Sequence, residues 1–136
     1  MTLKTQARTG VLNGIPGLMS ANPTTRVLLV EGDGLVRSLI TRLLRRRGLE
    51  VVEARDRRQA VEILTSDGPP IDGVILDIDK REPSVPAALE EIRRAAPTAR
   101  LILTAAWGLD LPPGLTLLLK PYDAAELTLA LQRAGL

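Results

Sequence analysis

The stretch LLVEGDGLV, Leu28 to Val36, sets the reading of the whole chain. An apolar run stops at Glu31, two glycines flank a second acid at Asp33, and apolar residues resume at once. That is the pattern of a buried strand passing through a tight turn into a helix. The glycines suit a turn that approaches a phosphate, and the acids suit one that holds a cation.

Working outward, Arg26–Glu31 is a continuous apolar run of strand length. Leu35–Arg47 sets Val36, Leu39, Ile40, Leu43 and Leu44 on one helical face, with Asp33 as its cap and Gly48 as its stop. Leu49–Ala54 is a second strand, and Asp56 opens a helix with Gln59 at capping-box spacing. Gly68-Pro69-Pro70 breaks that helix. Asp72–Ile78 (DGVILDI) is the third strand, Ala99–Thr104 the fourth and Gly114–Leu119 the fifth. Ser84–Ala96 is a helix between the third and fourth, and Asp123 caps a last one with Glu126 at the box position. Strands apolar on both faces, alternating with helices, predict an α/β fold with a doubly wound parallel sheet. Residues 1–24 carry Gly10, Gly14, Pro16, Gly17 and Pro23 without a sustained period and read as a flexible tail, leaving 25–136 as the folded domain.

Composition narrows the chemistry. With no cysteine and no histidine among 136 residues, disulfides, thiolate metal sites and imidazole catalysis are excluded. No apolar run approaches membrane-spanning length and the first residues lack a compact secretory block, so a cytoplasmic protein is expected, with no membrane partner. The net charge is only +2, from 18 basic and 16 acidic residues. Trp107 and Tyr122 cannot form a stacking platform, so no nucleic-acid partner is expected. The cluster Arg42, Arg45, Arg46 and Arg47 falls at a helix C-terminus, where it complements the dipole.

In parallel sheets ligands sit at the carboxyl ends of the strands. That edge collects Glu31, Gly32 and Asp33 from strand one, Asp77 and Asp79 from strand three, Thr104 from strand four and Lys120 from strand five. Gathered carboxylates repel and need a cation, and oxygen ligands of this kind suit Mg2+. A hydroxyl and an ammonium beside them supply donors to phosphoryl oxygens. The constellation is that of phosphorylation of a carboxylate, with Asp77 as nucleophile. A rival exists: Gly32-x-Gly34-x-x-Arg37 after a strand, with Glu53 about twenty residues on, imitates a dinucleotide fingerprint. Its third position is arginine, however, and it leaves Asp77, Thr104 and Lys120 without a role.

Four motifs in order, LLVEGD, IDGVILD, LILTAA and LLLKPYDAAEL, give residues 25–136 a resemblance to the response-regulator receiver domains of two-component signalling. The resemblance implies a flavodoxin-like sheet in the order 2-1-3-4-5. It places Asp77 at the phospho-acceptor, Thr104 at the hydroxyl that contacts the phosphoryl group and Lys120 at the lysine that pairs with it. It implies Mg2+ held by Glu31 and Asp77, with Asp33 and Asp79 as further candidates. Asp33 has helix capping as its alternative role, and Asp79 stands where the family uses a backbone carbonyl. Gly32 stands where the family has an aspartate that holds the metal directly, so weak Mg2+ binding is expected.

Such a protein is not an ordinary enzyme, since at most it catalyses its own phosphoryl transfer and dephosphorylation. The implied partners are a histidine kinase or histidine phosphotransfer protein and a protein target, with homodimerisation open. A stand-alone receiver is expected. Three departures favour a different reading, a degenerate pseudo-receiver that binds proteins independently of phosphorylation. They are Gly32, Leu117 in the place of the switch aromatic, and a span Ala105–Pro113 too short for two loops and a helix. The fourth helix of the family is expected to be absent or cut to a turn, with Trp107 covering the loop.

Overall fold

The computed structural model describes residues 24–136, so the tail expected over 1–24 lies, but for Thr24, outside the described residues. Strand β1 (Arg26–Val30) leads into helix α1 (Gly34–Arg46), followed by β2 (Glu50–Ala54), α2 (Arg57–Thr65), β3 (Gly73–Asp77) and α3 (Val85–Ala95). Then come β4 (Arg100–Ala105), β5 (Thr116–Leu119) and α4 (Ala124–Ala134). The helices begin where side chains satisfy their free N–H groups. Asp33 accepts from Leu35 and Val36, Asp56 from Gln59, Ser84 from Ala87 and Asp123 from Glu126. Asp123 and Glu126 complete a reciprocal capping box. At α2 the box is displaced: the Gln59 amide oxygen accepts from the backbone of Arg55 at 2.8 Å.

The five strands form one parallel sheet in the order β2-β1-β3-β4-β5, as the resemblance implies. Alternation along each strand divides the core in two. Val27, Leu29, Ile75 and Ile102 point to the face covered by α1 and α4. Leu28, Val30, Val74 and Leu76 point to the face covered by α2 and α3. Each such fully buried aliphatic side chain contributes about 1.5–3 kcal/mol. The burial of both faces is why the strands read as unbroken apolar runs and why the sheet is parallel.

Between β4 and β5 the chain forms no helix, and residues 106–115 pass as bends and turns. Trp107, Leu109, Leu111 and Leu115 from this loop pack against the α2/α3-side core, which closes the edge that a helix would otherwise cover. The fifth strand starts two residues later than the sequence pattern suggests. Gly114 adopts a left-handed φ of 90° and turns the chain into Thr116. No described helix is long and apolar enough to cross a membrane.

Candidate functional site

The register places the polar residues. Asp77, the last residue of β3, lies opposite Thr104 of β4. Glu31 follows β1, and its backbone N–H is held by the Ala54 carbonyl at 3.0 Å. Lys120 follows β5, and its N–H is held by the Ala105 carbonyl at 2.8 Å. All four therefore stand on one rim of the sheet, and their side chains meet there. Thr104 Oγ1 donates to Asp77 Oδ1 at 2.9 Å. Lys120 Nζ lies 2.9 Å from the same Oδ1 and 3.0 Å from Glu31 Oε1. The ammonium thus bridges two carboxylates, one buried and one partly exposed, at side-chain exposures of 4% for Glu31 and 21% for Asp77.

Burial alone would disfavour the Lys120 cation, but hydrogen bonds to Asp77 and Glu31 and their charges outweigh it, so its pKa lies above the ordinary lysine value. Glu31 is fixed at four points, two of them the Ala54 and Lys120 bonds already described. Its second carboxylate oxygen accepts from Asp33 N at 3.1 Å, and its backbone carbonyl accepts from Arg37 Nη1 at 2.7 Å. Asp77 Oδ2 has no hydrogen-bond partner among the described residues.

Two further candidates from the sequence are not brought in by their side chains. Asp33 spends its carboxylate on the N-terminus of α1, accepting from Leu35 and Val36 at 3.0 and 3.1 Å. The Asp79 carboxylate is taken by Arg81, whose guanidinium and backbone N–H both donate to it. That pairing holds the exposed Asp79 carboxyl well below the usual carboxylate range. Both aspartates still line the same cavity of about 960 Å3 as Glu31 and Asp77. No cluster of three or more acids converges on one point among the described residues. Glu31 and Asp77 are the two carboxylates that would hold a hydrated Mg2+, an ion commonly bound by one or two carboxylates plus phosphoryl oxygens.

The rival dinucleotide pattern is used up internally. Arg37 and Glu53, two of its members, pair with each other at 3.1 Å. Sequence reading missed three participants. Arg37 holds the Glu31 carbonyl, and Arg57 of α2 reaches Glu82 and Glu91 across the cavity. The third is Tyr122, whose hydroxyl is buried with no hydrogen-bond partner among the described residues. Burial pushes its phenol pKa up, with the Glu31 and Asp77 charges adding to the effect. The signal for Arg57 was present: a basic residue in the first turn of a helix opposes the dipole, so its place has to be explained by a tertiary partner.

No family model matches the chain. CheY, the chemotaxis protein of Bacillus subtilis, is 37% identical over 84 residues, covering 61% of this chain and 68% of CheY. The sensor kinase CckA of Brucella abortus is 34% identical over 84 residues, which cover 62% of this chain and only 9% of the kinase. Among solved structures, the receiver domain of the hybrid histidine kinase CckA superposes with a TM-score of 0.68 at 33% identity, covering 80% of this chain and 97% of that domain. CheY of Borrelia burgdorferi, solved as a CheX-CheY-BeF3-Mg2+ complex, gives 0.71 at 25% identity, covering 82% and 90%. With the sheet order, the rim and these likenesses in agreement, the chain belongs to the response-regulator receiver domains of two-component signalling.

Proposed function

We propose that the chain accepts a phosphoryl group on Asp77 from the phosphohistidine of a histidine kinase or histidine phosphotransfer protein, and signals by protein contact. The observation that carries this reading is the convergence of Thr104 Oγ1 and Lys120 Nζ on one oxygen of Asp77, each at 2.9 Å. They fix the carboxylate and leave Oδ2 to attack. The Oδ2–phosphorus bond forms as the phosphorus–nitrogen bond of the donor breaks, and the imidazole leaves with its electron pair and takes up a proton. Lys120 and Thr104 then supply a charge and a hydroxyl donor to the phosphoryl oxygens.

Glu31 and Asp77 would hold Mg2+, as the Mg2+-containing CheY neighbour suggests for this fold. When bound, the metal supplies charge neutralisation for the incoming phosphoryl group. Binding is weak because Gly32 brings no carboxylate and Asp33 and Asp79 are engaged elsewhere. Acting on a solvent-accessible rim, and with no membrane-crossing helix described, the domain fits a cytoplasmic place beside its kinase.

The second reading is the phosphorylation-independent binding module. It is favoured by the bridging of Glu31 and Asp77 by Lys120, which offsets one of their two negative charges without a metal. Intact-mass measurement with acetyl phosphate and saturating Mg2+ separates the two. A single phosphoryl adduct on the wild type, absent from Asp77→Asn, supports phosphorylation. No adduct on the wild type counts against phosphorylation and favours the binding module.

A further inference from the structure

The loop after the acceptor strand is tied down by a residue outside the acceptor rim. Arg57 opens α2, and its Nη1 donates to Glu82 of the β3–α3 loop while its Nε donates to Glu91 of α3 at 2.7 Å. Glu82 is the least exposed of the three, at 13% for its side chain. Within the loop, Glu82 N donates to the Asp79 carbonyl at 2.9 Å, and the second Glu82 carboxylate oxygen accepts from Ser84 N at 3.4 Å. Ser84 is in turn the cap of α3. A single guanidinium therefore links the first turn of α2, the loop that follows Asp77 and the body of α3.

The placement has no local explanation. The first turn of α2 holds no acid, and a cation there works against the helix dipole. Nor is Arg57 a surface charge remote from the chemistry, because it, Glu82 and Glu91 line the same cavity as Glu31 and Asp77. Planar guanidinium groups pair with phosphoryl oxygens as readily as with carboxylates.

We infer that Arg57 is a positioning residue, a latch that holds the β3–α3 loop through Glu82 and yields it when a phosphoryl dianion on Asp77 competes for the guanidinium. This rests on Asp77 being the acceptor. Release of Glu82 frees Ser84 and the start of α3, so the charge at Asp77 is read on the α2–α3 side of the domain. That is the side opposite the α1–α4 layer, and its helices pack directly on each other.

The test is hydrogen–deuterium exchange of the full chain, followed over residues 78–91, for wild type, Arg57→Lys, Arg57→Ala and Glu82→Gln. Each is measured alone and with Mg2+ plus beryllofluoride as the phosphoryl mimic, and fluorine NMR reports independently whether the mimic binds. Without the mimic, Arg57→Ala and Glu82→Gln exchange about tenfold faster than wild type in residues 79–84, and Arg57→Lys falls between. With the mimic, wild type accelerates in that segment while Arg57→Ala does not change further. Loop exchange in unliganded Arg57→Ala equal to wild type overturns the latch. An Arg57→Ala loop that still accelerates as wild type does with the mimic overturns the competition. Absence of any bound mimic by NMR overturns the acceptor reading and the competition with it, while the unliganded variants still decide the latch. Unchanged exchange in β1 and α4 distinguishes a local effect from loss of the fold.

Discussion

Replacing Gly32 by aspartate should tighten Mg2+ binding about tenfold. The backbone accepts the change: a Cβ at Gly32 meets only the Arg55 carbonyl oxygen, at 3.5 Å, an ordinary van der Waals contact. Gly32 is also absent from the residues held at positive φ, so no strain follows. It lines the cavity beside Glu31 and Asp77, so the new carboxylate would join those two as a third that is not already tied up by a helix cap or Arg81. A charge-assisted ligand is worth about 1.5–3 kcal/mol, or roughly ten- to a hundredfold in affinity. The position is exposed and the cavity open, so solvent screening puts the expected gain at the lower end of that range.

Isothermal titration of the two proteins with MgCl2 measures the ratio directly. Thermal unfolding supplies a second reading, because a ligand at free concentration L that binds only the native state stabilises it by RT ln(1 + L/Kd) and so raises the midpoint more for the tighter binder. Without Mg2+ the variant should unfold at a lower temperature than wild type, since the added charge faces Glu31 and Asp77. With millimolar Mg2+ the order should narrow or reverse. Equal affinities for wild type and Gly32→Asp would refute the reasoning. They would mean that Asp33 leaves the N-terminus of α1 and serves as the ligand, and that its capping bonds at 3.0 and 3.1 Å yield to the metal.

Lys120→Met should cost about 1–3 kcal/mol of stability in urea denaturation, because Glu31 stays buried after losing its countercharge. The pKa of Lys120 is raised on folding, so its contribution is complete below the ordinary value of 10.5 and is lost as pH rises beyond it. Tyr122, also raised from its ordinary 10.0, acts in the same direction. Stability should therefore fall above about pH 10, and Lys120→Met should flatten that slope; an unchanged alkaline slope would count against the pairing. Ile75→Ala, at a site 1% exposed on the central strand, should cost about 2–5 kcal/mol, and a loss under 1 kcal/mol in the same assay would contradict the packing.

Most of the fold could be read from the sequence because several signals agreed. The runs at β1, β3 and β4 are apolar on both faces, and each helix carries an Asp or Ser at its N-cap. The shortness of the segment after β4 was enough to exclude a helix, and Trp107 covers the loop as expected. The rim of Glu31, Asp77, Thr104 and Lys120 was accessible too, since the strand ends of a parallel sheet share one edge. What could not be read is where long side chains go. Asp33 could be a cap or a ligand from its position alone, and the sequence does not show that its carboxylate bonds to Leu35 and Val36. Asp79 pairs with a residue two places on, and Arg57 with residues 25 and 34 places away. The Arg57 pairings depend on how α2, α3 and the loop pack, which no local spacing encodes.

The charge balance of the rim implies that affinity for Mg2+ and the rate of phosphoryl transfer should part company. Glu31 and Asp77 carry two negative charges and Lys120 one positive charge, so the rim has one net negative charge. Divalent metal turns that into one net positive charge, which attracts an anionic donor. In Gly32→Asp the same metal brings the rim only to neutrality. A unit charge about 6 Å away is worth nearly 3 kcal/mol at an effective dielectric of about 20, and less in an open cavity. The variant should thus phosphorylate faster than wild type at low Mg2+, where occupancy limits the rate. At saturating Mg2+ its rate constant should rise by much less than the gain in affinity, or fall. The measurement is the acetyl phosphate-driven rate of adduct formation on Asp77, taken across a Mg2+ series and fitted separately for half-saturation and plateau. A plateau raised tenfold or more in the variant would sink the electrostatic account. The acid at position 32 would then have to stabilise the transition state itself, and Gly32 would mark a loss of catalysis rather than only a loss of metal.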